Sequence, residues 1–94
     1  MPQDKITKDK LEKYFSVSKK ALGKAEKAIN KAHKEECAKI LDMAERYISD
    51  AEFFRNKEDY INAFAALNYA HGWIDTGSKL GFFEVDDSSL FVLK

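Results

Sequence analysis

Residues 60–80 read Y-I-N-A-F-A-A-L-N-Y-A-H-G-W-I-D-T-G-S-K-L, and within them Tyr60, Phe64, Leu67, His71, Ile74 and Ser78 recur at steps of three and four. That rhythm matches a 3.6-residue turn and places all six on one face of a helix. Ala63, Ala70 and Gly77 lie beside the stripe and are small enough to let a neighbouring helix close in. Gly81 is a good stop after Leu80, so the spacing predicts a helix over about 59–80. Asn56, Lys57, Glu58 and Asp59 precede it as a polar interruption whose acids suit the positive end of a helix dipole.

Upstream, Cys37, Ile40, Leu41, Ala44, Tyr47, Ile48, Ala51 and Phe54 trace a helix over about 34–55. Leu11, Phe15, Ser18, Leu22, Ala25, Ile29 and Ala32 trace another over about 7–30, with Thr7 as its N-cap and Asp9 in its first turn. The two patterns are out of phase, since continuing the first would put Glu36 and Lys39 inside. The chain must break between Asn30 and Lys34, and Asn30 is the residue suited to a left-handed helix end. Downstream, Phe82, Phe83 and Val85, then Leu90 to Leu93, flank the polar run Asp86 to Ser89. They predict a short hairpin or extended tail over 82–93 that packs on the helices or on a second chain, because a lone ribbon is marginal in water. Short connections force the helices to alternate. The expected fold is therefore all-α, an antiparallel up-down-up three-helix bundle with a short C-terminal tail, in a single domain 1–94.

Composition bounds the function. With 94 residues the chain makes one small domain, and one proline and four glycines among 45% hydrophobic residues argue against disorder and against a turn-rich sandwich. Net charge is zero, so no global field draws in nucleic acid or an anionic membrane. Residues 1–34 nevertheless carry ten lysines against four acids, and residues 35–94 six bases against twelve acids. Cys37 stands alone, which excludes an internal disulfide and a multi-cysteine zinc site. The longest apolar run, Ala63 to Leu67, is too short for a signal-peptide core or a membrane span, and a cytoplasmic location is expected.

The stretch Asn62 to Phe83, with A-L-N-Y-A-H-G-W-I-D followed by L-G-F-F, resembles the signature of a family of small archaeal proteins known as domain of unknown function 357. Ala44 to Phe54 (A-E-R-Y-I-S-D-A-E-F-F) resembles the upstream half of that pattern, so the likeness spans about residues 35–93. It implies a compact three-helix bundle with a short C-terminal extension and brings no activity, substrate or catalytic residues. Members of that family usually carry a glycine ahead of the Asp-Tyr that opens the last helix, where this chain has Glu58.

Four constellations could carry chemistry. His71 and Asp75 are four apart, so the carboxylate can reach a ring nitrogen, with Asn68 one turn earlier. No G-x-S-x-G turn or glycine-rich phosphate loop supplies the rest of a catalytic site, and a hydrogen-bonded structural histidine is the simpler account. His33 and Cys37 are also four apart, but structural zinc wants four ligands, so no metal and no cofactor is expected. Lys20, Lys24, Lys27, Lys31 and Lys34 form a basic stripe that could follow a phosphate backbone. It lacks arginine and interleaved aromatics, and a solvated face is the plainer reading. Tyr69, Trp73 and Thr76 face away from the His71 stripe, with Tyr69 and Trp73 spaced to stack and Gly72 beside them suggesting close approach of another backbone. If Trp73 is partly exposed, it joins Phe82, Phe83 and Phe91 in an apolar patch of the kind that marks a partner surface.

The expected function is thus a non-enzymatic module that binds another protein or itself, with Tyr69, His71, Trp73, Asp75, Phe82, Phe83 and Phe91 as candidate binding residues. The alternatives are a small hydrolase-like enzyme using His71 and Asp75, or an RNA-binding module using Lys20, Lys24, Lys27 and Lys31. A protein partner or a second copy is expected; nucleic acid is disfavoured, and a membrane role is not expected.

Overall fold

The computed structural model describes residues 6–85 and contains three helices: α1 (Lys8–Glu26), α2 (Lys34–Asn56) and α3 (Tyr60–Lys79), with a single 3-10 turn (Lys31–His33) leading into α2. Contacts between the helices fix their directions. Tyr14 meets Phe64 with ring centroids 4.6 Å apart, and Ser18 meets His71 further along, so α1 and α3 run parallel. Tyr47 stacks on Tyr69 at 5.2 Å while Ile40 abuts Gly77, so α2 runs against α3. Ion pairs from Arg55 to Glu12 (3.1 Å) and from Lys19 to Glu52 (3.0 Å) close the α1–α2 side in the same antiparallel sense. The result is the up-down-up bundle, with α2 and α3 sharing the largest contact.

Each helix buries the centre of the stripe its periodicity marks, while Leu22, Leu41, Tyr47, Phe54, Tyr60, Phe64 and His71 are only half-buried and Ala32 is exposed because the chain has left the helix there. Leu11, Phe15, Ser18, Ala21 and Ala25 from α1 meet Cys37, Ile40, Ala44, Ile48 and Ala51 from α2, and Ala63, Ala66, Leu67, Ala70 and Ile74 from α3. Alanine is frequent in this core, so the helix backbones lie close together and the side chains that fill it are few. Leu11, Leu67, Ile74 and Phe83 are its largest wholly buried members.

Thr7 caps α1, its hydroxyl accepting the Lys10 amide at 3.2 Å, and Asp59 caps α3 by accepting the Asn62 amide at 3.2 Å. α2 and α3 close with the same pair of backbone hydrogen bonds, a Schellman motif. At the end of α2, Glu58 N–H donates to the Arg55 carbonyl (2.9 Å) and Asp59 N–H to that of Phe54 (2.8 Å). At the end of α3, Gly81 N–H donates to Ser78 (3.1 Å) and Phe82 N–H to Gly77 (2.8 Å). The motif needs a left-handed residue, and the two occupants are Gly81 (φ 81°) and Glu58 (φ 60°). Glu58 thus adopts the turn for which a glycine is the natural choice.

α1 ends four residues earlier than its periodicity suggests, and the cause is tertiary. Ala28, Ile29 and Asn30 leave the helix to pair with the chain beyond α3. Ile29 forms an isolated antiparallel bridge with Phe83, Asn30 N–H donates to the Phe82 carbonyl (2.9 Å), and Glu84 N–H donates to that of Ala28 (2.7 Å). Asn30 is extended (φ −76°, ψ 118°) and not left-handed. Its Oδ1 accepts the Ala32 amide and so starts the 3-10 turn, while its Nδ2 donates to the Gly81 carbonyl, both at 3.0 Å. The described part of the tail therefore pairs with the α1–α2 connection. The second expected run, including Phe91, lies outside the described residues.

Candidate functional site

Once buried positions are set aside, the three helices present very different surfaces. Nine of the ten exposed positions of α1 are charged, and eight of the twelve on α2, as expected of solvated faces. On α3 only one of nine is charged, Lys79; the others are Ile61, Asn62, Ala65, Asn68, Tyr69, Gly72, Trp73 and Thr76. In a chain that is 34% charged, a helix face without a charge for four turns is the distinctive feature of the surface.

Tyr69 is 62% exposed and Trp73 39%, and Leu80, 61% exposed, extends the stripe at the helix end. Tyr69 stacks on Tyr47 of α2 at 5.2 Å, with the planes 21° apart. Its ring is held as a ridge between two hollows. One, of about 370 Å³, is lined by Asn68, Tyr69, Gly72, Trp73 and Thr76. The other, about 180 Å³, lies between α2 and α3 beside Tyr47, Phe54 and Ala65. Gly72 does not bring a backbone of this chain close: a Cβ built there meets nothing within 4 Å. The glycine that the fold requires is Gly77, where a Cβ would lie 2.7 Å from Phe83 Cε2 and 3.0 Å from Ile40 Cδ1.

That contact accounts for Phe83, which is 1% exposed and belongs to the core instead of a surface patch. Phe82 is half-buried, its ring 4.8 Å from that of His33. Its carbonyl accepts from both the Asn30 amide and the Cys37 thiol (3.0 Å). Of the expected patch of Trp73, Phe82, Phe83 and Phe91, only Trp73 is exposed among the described residues; Phe82 is half-buried and Phe83 is withdrawn by the notch at Gly77.

His71 is half-buried between α1 and α3, with Nε2 2.6 Å from the hydroxyl of wholly buried Ser18. Burial pushes the imidazole below its ordinary pKa, and the charge of Asp75 one turn on works against that. Asp75 itself holds Lys79 at 3.1 Å. Ser18, His71 and Asp75 have the residue types of a hydrolytic triad, but the hydroxyl is sealed inside the bundle. His33 and Cys37 are divided between surface and core: His33 lies 3.9 Å from Glu36, while Cys37 is wholly buried and burial pushes its thiol pKa up. Among the described residues, no group of three or more His, Cys, Asp or Glu is placed to hold a metal ion. The lysine stripe is interrupted, because Lys27 caps α1 and Lys31 opens the 3-10 turn after the chain has changed direction. Lys20 and Lys24 remain on one helix.

Two features escaped the periodicity. Leu80 sits where the helix stops, and Ser18 counts in the sequence only as a small residue in an apolar stripe. The scarcity of charge between Tyr60 and Thr76 is visible in the sequence, but buried and exposed positions must be separated before it means anything.

No described helix is long and apolar enough to cross a membrane. Fold and surface together define an all-α, three-helix module with one uncharged aromatic face. The chain belongs to the family described as protein of unknown function (DUF357), whose profile matches residues 13–83. No curated protein and no solved structure matches it.

Proposed function

We propose that the chain is a non-enzymatic docking module that binds a protein surface, another protein's or its own, through the outer face of α3. The observation that supports this is the contrast in exposed charge between α3 and its two neighbours. A solvated helix face gains nothing from carrying tyrosine, tryptophan and isoleucine where its neighbours carry lysine and glutamate, whereas an interface core is depleted of charge and enriched in aromatics. Tyr69 is also braced by Tyr47, so it is already ordered and loses little freedom on binding. Catalysis is the weaker reading because a nucleophile must meet its substrate, and the Ser18 hydroxyl beside His71 is wholly buried. RNA binding is weakened by the interruption of the lysine stripe.

A photo-crosslinking amino acid placed at Tyr69, and separately at Ser16 on the exposed face of α1, tests the reading in living cells of the source organism. Protein adducts from position 69 and none from position 16 are expected. Equal yields from the two positions would remove the support for α3 as a docking face.

A further inference from the structure

The outer face of α3 carries both a hollow and a knob. Tyr69, Gly72, Trp73 and Thr76 stand at i, i+3, i+4 and i+7, the four positions that frame a hole for a side chain from a facing helix, and they line the 370 Å³ hollow. Gly72 leaves its floor open. Two turns further on, Leu80 projects from the helix end, 61% exposed. On the flank between them, Asp75 and Lys79 form an ion pair at 3.1 Å.

We propose that a second copy of this chain docks on the C-terminal half of α3, antiparallel, across a two-fold axis near Thr76. The inference rests on the reading of α3 as a docking face and names its occupant. Gly72 and Leu80 each lie four residues from Thr76, on opposite sides. An axis there seats each Leu80 in the partner's Gly72 hollow, the reciprocal contact that a two-fold interface requires. Asp75 and Lys79 flank position 77, only about 1.5 Å further along the helix. The same axis therefore brings Asp75 towards the partner's Lys79 and Lys79 towards the partner's Asp75, which is charge complementarity with opposite signs meeting twice. The rest of the face has no charge to repel its copy, and antiparallel helices oppose their macrodipoles. The exposed parts of Tyr69, Trp73 and Leu80 amount to on the order of 350 Å² per copy. Over two copies that is about 700 Å², less than half of a standard stable interface, so the association is weak and transient.

Trp73 is the sole tryptophan, and its emission reports on this face alone. Sedimentation of the full chain from about 10 µM to about 1 mM should show the mass rising from 10.8 kDa towards twice that value, with Trp73 emission shifting to the blue over the same range. Leu80→Glu should abolish both changes. Lys79→Glu should weaken association by about tenfold, and adding Asp75→Lys to it should restore association because the reciprocal pairs return with signs exchanged. A mass that stays at 10.8 kDa throughout, or a dimer indifferent to Leu80→Glu, overturns the proposal. If such a monomer already has its tryptophan shielded from a quencher, residues 86–94 are the occupant instead. Where the monomer's Trp73 is open and position 69 still crosslinks to other proteins, the second copy fails and the docking face stands; without crosslinks, both fail.

Discussion

Ser18 of α1 and His71 of α3 are separated by 53 residues in the chain and by 2.6 Å in space. The hydroxyl is wholly buried and the imidazole half-buried, so each gives the other the hydrogen bond that water cannot supply. In a core built largely from alanine, this is a directional contact that sets how α1 sits along α3.

Ser18→Ala should lower stability by about 1 kcal/mol, the net worth of one intramolecular hydrogen bond. The pH dependence carries a second signature. Because burial holds the folded imidazole below the unfolded value of about 6.5, the unfolded chain takes up the proton first. The contribution of His71 is therefore complete above about pH 6.5 and declines as the pH falls from there to the folded pKa. The melting-temperature advantage of the wild type over His71→Gln should shrink between about pH 7.5 and about pH 5. An advantage that grows on acidification would contradict a neutral, buried imidazole.

The helical glycines Gly72 and Gly77 should respond in opposite directions to alanine. At position 77 the new methyl runs into Phe83 and Ile40, and overpacking of this kind costs about 1 to 3 kcal/mol. At position 72 the methyl enters open space, so the helix propensity of alanine should raise stability by up to about 1 kcal/mol in dilute solution. Chemical denaturation of the two variants side by side decides the matter, and a loss at position 72 would mean a contact that the fold does not contain.

Glu58 and Gly81 do the same conformational work at two helix ends, and only one of them is a glycine. A left-handed backbone costs a residue with a side chain about 1 to 2 kcal/mol, part of which glycine gives back through its freedom in the unfolded chain. Glu58→Gly should raise stability by about 0.5 to 1 kcal/mol, while Gly81→Ala should lower it by about 1 kcal/mol. Thermal unfolding of both variants would expose an error if the signs came out alike.

Cys37 should be unreactive in the native protein. Its sulfur is wholly buried, its S–H donates to the Phe82 carbonyl at 3.0 Å, and burial keeps it a thiol at neutral pH. Reaction with a thiol-specific disulfide reagent should be at least about 100-fold slower than in denaturant, because it awaits an opening of the tail or of the whole bundle. Prompt labelling under native conditions would show that the Phe82 strap is not closed.

Three helices, their order and their inward faces were legible in the sequence because periodicity is a local property: Leu11 to Ala25, Cys37 to Ala51 and Ala63 to Ser78 each mark a buried stripe without reference to any other segment. The caps at Thr7 and Asp59 are likewise local, since each side chain bonds an amide three residues on. Tertiary structure alone decided the rest. α1 ends at Glu26 because Ile29 and Asn30 are claimed by Phe83 and Phe82, more than fifty residues away. Phe83 is core because Gly77 leaves room for its ring, and Gly72, equally a helical glycine, faces open space. Periodicity tells which residues avoid water but not which neighbour covers them. That is why Ser18 and His71 found each other only in the folded chain, and why Tyr69 and Trp73 stand exposed on a face of α3 that α2 touches only through Tyr47.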